Sequence, residues 1–440
     1  MNIQKSIILS FAGIFLLSCT PRVDDVFEDT SVTRLEMRRT EVIEMLTSKP
    51  NGWVMEYFAQ SDPTSSSVEK HRGYTFLMQF RNDGTVTVGA LVNGVFNTET
   101  SMWDVINDNS TVLTFNTFNS IFHYYSNPDP ELGLWGADGV GIGGDYEFLV
   151  LTYNKTEDYQ LLKGKKWSCY IHLTPLADNQ DWEEYFGQLD KMKQFLFEEN
   201  LPLGLYAQGK HFSLFNGPTG EFRAFEFGAD TLGGGEYHGF IITEKGIRIQ
   251  DQKIVECAIG EGTFNLNETK DRLVAADNSS IYIEMEGATA FESSIAHGAK
   301  WQADTLSLSG AILAGIDTLN NYLHTGVGSA RGNKNAHITG IGFSAGNDSI
   351  VNLNVIYTTN GKNSLTDVYY FDKQYVADGK YRLSYRNAYG QHNLLNYNGA
   401  DFVNLFNGTY TFSIIEPFHP SKGLKMTQEE RADFSITLKQ

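Results

Sequence analysis

The sequence predicts a mainly β protein with a few helices, of the α+β class, and three observations carry that expectation. Residues 74–90 change to a period of two: Phe76, Met78 and Phe80 alternate with Thr75, Leu77 and Gln79. Asn82-Asp83-Gly84 then turns the chain, and Val86, Val88 and Ala90 alternate with Thr85, Thr87 and Gly89. One buried face on two short runs joined by a tight turn is a β-hairpin. Similar runs recur at "WVMEYFAQ", "TVLTFNTF", "SIFHYYS", "DYEFLVLTY" and "KWSCYIHLT", separated by Asn, Asp, Gly or Lys. That is the cadence of an antiparallel meander rather than of βαβ units. Finally, 41% hydrophobic residues in 440 is the content of a chain with real cores.

Along the chain, "TRLEMRRTEVIEMLTSKPNG" predicts a first helix, with Thr33 and Glu36 as a capping-box pair and Lys49-Pro50-Asn51-Gly52 as the stop. The meander follows, and closure into an up-and-down barrel or a strongly curved sheet removes its exposed edges. A second helix is predicted at "DWEEYFGQLDKMKQFLFEENLP". Trp182, Tyr185, Phe186, Leu189, Met192 and Phe195 recur there at helical spacing, Asp181 caps and Pro202 ends the run. The β cadence then returns from "HFSLFN" to "SIYIEM", is interrupted by a helix predicted near "WQADTLSLSGAILAGIDTLNNYLHT", and resumes to "ADFSITLK". These shifts divide the chain into a segment 1–18, a tether 19–30, a β-rich N-terminal domain 31–200 and a β-rich C-terminal region 201–440 with a division near 300.

The first line, "MNIQKSIILSFAGIFLLSC", has Lys5, an apolar run from Ile7 to Leu17, then Ser18-Cys19. Eleven apolar-dominated residues are too few for a helix to cross a hydrocarbon core of about 30 Å, so the stretch reads as a targeting segment. Leu16-Leu17-Ser18-Cys19 resembles a bacterial lipobox, with Leu17 a departure from the usual small residue. The resemblance implies a signal peptide ending at residue 18 and lipidation of Cys19, whose acyl chains would anchor the protein in a membrane. Asp24, Asp25, Glu28 and Asp29 follow; such an acidic tether resembles the export signal of Bacteroidetes surface lipoproteins, and the same residues also suit a solvated linker.

Charge excludes one class of partner. Fifty-three Asp plus Glu against 34 Lys plus Arg leave a formal net charge of −19, which repels nucleic-acid phosphates. With Cys19 assigned to lipid, Cys169 and Cys257 either pair or stay separate in a core. No C-x-x-C or H-E-x-x-H occurs.

Gly139-Val-Gly141-Ile-Gly143-Gly144 satisfies the letters of the dinucleotide fingerprint G-x-G-x-x-G. That fingerprint needs a strand before the glycines and a helix after them, because the helix N-terminus holds the pyrophosphate. Here Pro128 and Pro130 precede them and "DYEFLVLTY" reads as a strand, so the match is a coincidence of letters in a loop. Asp138, Asp145 and Glu147 could instead offer oxygens to Ca²⁺, without EF-hand spacing. Trp135 and Tyr124-Tyr125 are rings that could stack on a sugar, peptide or flat cofactor. Trp135, Asp138, Asp145 and Glu147 together form the candidate ligand site; no catalytic or resident metal site is predicted. His123 reads as a satisfied strand histidine. Glu236 and His238, two apart on a strand, share a face and suit either a hairpin rim or a metal or acid–base pair. "GFSAG", Gly342 to Gly346, fits a nucleophile elbow around Ser344, yet "NDSIVNLNVIY" after it predicts a strand where an elbow needs a helix.

Several phrases together resemble one family. "NGWVMEYF", "GYTFLMQFRNDGTV", "LTFNTFNSIFHYYSNPDP", "GVGIGGDYEFLVL", "LLKGKKWSCYIHLTPL" and "TEKGIRI" are similar to a Bacteroidetes lipoprotein family known as domain of unknown function 4302, most strongly between Asn51 and Pro175. The resemblance implies an outer-membrane, surface-exposed lipoprotein working beside a TonB-dependent transporter and its substrate-capturing lipoprotein, and it carries no catalytic residues. The expected role is therefore a non-enzymatic accessory that binds a nutrient such as a glycan, peptide or haem, or assists uptake. A secreted or surface hydrolase, with carboxylates or Ser344 converging in a cleft, is the rival; a structural or adhesive surface protein is the third reading.

Overall fold

The computed structural model describes residues 29–440 apart from 59–72, 109, 128, 130–142, 152–159, 218–219, 228–234, 305–307, 327–331, 348, 377–378, 390–393 and 398. Three closed, eight-stranded antiparallel barrels follow one another along the chain. The protein is mainly β with helices at the seams.

The first barrel comprises β1 (Trp53–Phe58), β2 (Gly73–Phe80), β3 (Thr85–Val92), β4 (Val95–Asn107), β5 (Thr111–Phe115), β6 (Glu147–Val150), β7 (Gln160–Gly164) and β8 (Tyr170–Pro175), and it closes where β1 pairs with β8. Its β2–β3 hairpin turns at Arg81–Gly84, with Gly84 at φ +79°. The second barrel runs β9 (Leu203–Ala207), β10 (Lys210–Asn216), β11 (Glu221–Glu226), β12 (Glu236–Thr243), β13 (Gly246–Ile249), β16 (Thr263–Leu266), β17 (Arg272–Ala275) and β18 (Tyr282–Glu284). A hairpin of β14 (Lys253–Ile254) and β15 (Cys257–Ala258) leaves it after β13. The third contains β19 (Trp301–Ala303), β20 (His337–Asn347), β21 (Ile350–Thr358), β22 (Ser364–Tyr375), β23 (Tyr381–Tyr389), β24 (Gly408–Ile414), β25 (Leu424–Gln428) and β26 (Ser435–Lys439). Closure pairs every strand on both sides, which removes the edges an open meander of this composition would expose.

Helix α1 (Ser31–Thr47) packs Val42, Met45 and Leu46 into the first barrel's core. Its cap is Thr30, whose side chain accepts from the Thr33 amide at 3.2 Å; the expected Thr33–Glu36 pair lies one turn inside the helix. Helix α2 (Trp182–Phe197) starts at Asp181 as the spacing predicts, with the Glu184 amide 2.8 Å from the Asp181 carboxylate. Its length serves two cores. Tyr185, Phe186 and Leu189 belong to the first barrel's apolar cluster, and Leu196 and Phe197 to the second's.

Two local expectations are corrected. "SIFHYYS" is not a strand but a turn and a 3-10 helix over His123–Tyr125. There the buried Asn119 side chain accepts from the Ile121 and Phe122 amides, competing with a ladder. The segment from Trp301 is not one helix: Trp301–Ala303 is a strand closing the third barrel, and helix α4 occupies Gly310–Thr325, ended by Gly326 at φ +74°. Helix α3 (Gly287–Ala296), between the second and third barrels, was not expected, because its N-cap Glu286 makes no side-chain capping bond. The short α5 (Ala400–Asn404) precedes β24. Cys169 and Cys257 are buried in the cores of different barrels, and no disulfide joins them.

Candidate functional site

The first and second barrels meet where β2 crosses β12. Gly73 makes this approach feasible: a Cβ there would lie 2.1 Å from the Ile241 side chain. Below the contact, Arg248 of β13 donates to Glu56 of β1, both largely buried. Burial raises the Glu56 pKa, and the Arg248 guanidinium only partly offsets that. His172, opposite Glu56 in the β1–β8 register, is pushed down to about 3 by burial and then by the Arg248 charge.

Along this seam runs a groove of about 670 Å³ with α2 as one wall. Phe186, Leu189, Asp190, Lys193, Gln194, Phe197 and Glu198 face it, a spacing of three and four that places them on one helix side. Rings stand at both ends. Tyr74 and Tyr125 of the first barrel lie with centroids 4.0 Å apart, and Phe240 of the second lies 5.4 Å from Phe197 and stacks at 4.2 Å on Phe222. Ile241, Ile242 and Leu91 add apolar floor, and Asn200 and Asn216, 3.3 Å apart through their amides, add polar rim. An apolar, aromatic floor with a few polar groups at the edge, in the usual size range of about 300–1,000 Å³, is the make-up of a small-molecule site.

The glycine-rich stretch does not line the groove but packs behind one of its residues, Tyr125. Its described end, Gly143-Gly144, is followed by strand β6 rather than by a helix, so no helix N-terminus is offered to a phosphate. Gly144 sits beneath Tyr125: a Cβ would come within 2.6 Å of the Tyr57 hydroxyl and 2.7 Å of the Tyr125 carbonyl. The glycine is needed for close packing that seats a groove ring.

Of the residues singled out from sequence, Cys19, Trp135 and Asp138 lie outside the described residues. Asp145 is buried, and its carboxylate accepts from the Lys166 amide at 2.9 Å and the Trp167 amide at 2.9 Å. Gly164 leaves room for it, since a Cβ there would lie 1.9 Å from Asp145 Oδ2. Glu147 is paired with Lys165 at 3.1 Å. Tyr125 lines the groove, whereas Tyr124 is edge-on to it at 5.2 Å between centroids. His123 accepts from the Asn119 amide at 3.0 Å, and burial lowers its pKa. Ser344 lies inside β20, paired in register with Asn352, so "GFSAG" is a strand and not an elbow. Glu236 and His238 do share a face of β12. The sequence missed Tyr74, Phe240 and Ile241, because no local signal says that β2 and β12 meet.

A second, more polar cleft of about 330 Å³ lies between the second and third barrels. Asp271, Arg272, Glu284 and Glu286 line it together with Tyr206 and Phe412. Glu286 accepts from Tyr206 and, at 2.7 Å, from Thr289, and lies 2.7 Å from His211 Nε2. Burial works to raise the Glu286 pKa, but these contacts outweigh it and hold the carboxyl below its ordinary value. Glu284 is raised by burial although Arg272 is 2.6 Å away.

No curated protein matches the sequence. Among solved structures, the DNA polymerase sliding clamp from Pseudomonas aeruginosa aligns with 91% of this chain and 96% of its own at 8% identity and a TM-score of 0.12. DNA polymerase III subunit beta from Borrelia burgdorferi aligns with 92% of this chain and 96% of its own at 7% identity and a TM-score of 0.11. Scores this low carry neither fold nor role across. The family comparison is decisive: residues 23–252, from before α1 to just after β13, match the family described as domain of unknown function (DUF4302), and the chain belongs to that family.

Proposed function

We propose that this protein is a lipid-anchored accessory of the bacterial outer-membrane surface whose seam groove captures an amphiphilic nutrient, of the size of a short peptide or a haem, for a TonB-dependent uptake system. The groove carries the reading. Its rings and aliphatic floor suit the apolar body of a ligand, and Asp190, Lys193, Asn200 and Asn216 suit polar ends. The lipobox-like Leu16-Leu17-Ser18-Cys19 and the acidic tether support the anchor.

Titration of the full-length protein with peptides, haem and glycans tests it. Saturable binding of a peptide or haem, weakened in Leu91→Arg, an exposed floor residue, at an unchanged melting temperature, is the expected result. Binding confined to glycans and indifferent to Leu91→Arg would remove the groove from the account. Mass spectrometry of the mature protein should find diacylglycerol and an acyl chain on Cys19; an unmodified start elsewhere would remove the anchor.

One observation favours a second reading, a hydrolase. Asp271, Glu284 and Glu286 converge in the cleft between the second and third barrels, and their surroundings push the pKa values of Glu284 and Glu286 in opposite directions, as an acid–base pair requires. Turnover of nitrophenyl glycosides abolished by Glu286→Gln would establish it; no turnover by the wild type would leave the accessory role in place.

A further inference from the structure

We infer that the ligand of the seam groove is an extended peptide, held through its main chain as an added strand; this rests on the groove reading above and names its ligand class. Each barrel strand has two neighbours, but not along its whole length. β2 pairs with β1 over Gly73–Met78, yet its ladder with β3 covers only Leu77–Phe80. Among the described residues, then, no strand pairs with the second flank of residues 73–75. β12 pairs with β13 over Phe240–Thr243, whereas its ladder with β11 stops at Gly239. Gly73, Thr75, Phe240 and Ile242 all line the groove. Two strand segments, one from each barrel, thus face the same cavity with a flank outside any ladder.

The alternation of hydrogen bonds tells which main-chain groups are left over. In an antiparallel strand, successive residues aim their N–H and C=O at opposite neighbours. The Arg81 amide donates to the Thr85 carbonyl at 2.9 Å, so the odd-numbered residues of β2 face the β3 side. Gly73 and Thr75 belong to that set and lie beyond its last paired member, Leu77. The Ile241 side chain meets Gly73 from its Cβ face and not from this flank. On β12 the Phe240 amide donates to the Gly220 carbonyl at 3.0 Å, which assigns the even-numbered residues to the β11 side. Ile242 is the next of them and has no ladder partner there among the described residues. Gly73, Thr75 and Ile242 are half-buried, so a ligand can reach them and water screens the resulting bonds only in part. Donors and acceptors on one flank of a strand repeat every two residues, about 7 Å, and a second main chain is the partner with that repeat. Strand addition takes affinity from the main chain and specificity from alternate side chains. Tyr125, Phe186 and Leu189 offer those side chains apolar ground. Haem has no amide donor, and the hydroxyls of a glycan follow no such repeat.

The test is fluorescence anisotropy of the full-length protein with a fluorescein-labelled hexapeptide of alternating valine and threonine, and with two N-methylated forms of it, one methylated at the valines and one at the threonines. Each form keeps the side chains and deletes the donors of one flank. The parent peptide should bind, one form should bind about tenfold more weakly, and the other should be little changed. Hydrogen exchange at the Thr75 and Ile242 amides should slow when the parent peptide is bound. Equal affinity of all three peptides overturns strand addition and leaves the groove as a site. Haem binding that Leu91→Arg weakens, without binding of any peptide, does the same. Binding of neither peptide nor haem removes the groove reading and this inference together.

Discussion

Arg248 of β13 reaches across the seam and donates from Nε to the carboxylate of Glu56 on β1, so the first two barrels share a buried ion pair. Removing one partner leaves the other charged and desolvated. Glu56→Gln or Arg248→Gln alone should therefore destabilise the protein by about 3–5 kcal/mol, whereas the double variant Glu56→Gln, Arg248→Gln should lose much less. Denaturant unfolding of the four species measures the coupling; additive losses would show that the two side chains act independently.

His172 supplies a pH signature at the same seam. Its folded pKa of about 3 lies below the ordinary imidazole value, so between those two pH values the unfolded chain binds more protons than the folded one. Stability must then fall as pH falls from about 6.5. The His172 share between pH 7 and pH 5 is about 2 kcal/mol. His172→Gln should flatten the melting temperature across that range, and an unchanged slope would place the acid sensitivity elsewhere.

Gly144→Ala tests the link between the glycine-rich stretch and the groove. The added methyl would press on the Tyr57 hydroxyl and the Tyr125 carbonyl. Overpacking of this kind costs about 1–3 kcal/mol and should displace the Tyr125 ring. Loss of stability together with loss of groove binding is expected. Loss of stability alone would mean that Tyr125 does not touch the ligand.

Asp145→Ala should uncover the amides of Lys166 and Trp167, which the carboxylate satisfies in the turn between β7 and β8. Lys166 is exposed and Trp167 half-buried, so water takes over part of the lost partner and the loss should stay near the low end of the range, about 1 kcal/mol for each amide. Faster hydrogen exchange at these two amides would report the local effect, and Asp145→Asn, which keeps one acceptor oxygen, should fall between.

Local signals made some elements legible and hid others for physical reasons. Asp181 with the apolar spacing of α2, and Asn82-Asp83-Gly84 between alternating runs, are complete within a few residues, so helix and hairpin could be read directly. Glu286 starts α3 with its side chain turned to Tyr206 and Thr289, a tertiary engagement that erases the capping signal. "SIFHYYS" has strand composition but folds as a turn because Asn119, buried against β4, captures its amides. Of the candidate site, Tyr125 and the α2 face were visible as apolar positions, without any sign of what they would face.

What the sequence determined by itself is the β-rich class, the start of α2 at Asp181, the shared face of Glu236 and His238, and membership of its family, because each depends on neighbours in the chain or on similarity along it; the end of α2 falls at Phe197, short of the Pro202 that the sequence offered. Only the tertiary structure decided that the meanders close as three barrels, that Gly73 admits Ile241, and that a groove opens beside them. Those outcomes join residues far apart in the chain, such as Leu205 with Ile283 and Gly73 with Ile241, and periodicity carries no information about which distant surfaces meet.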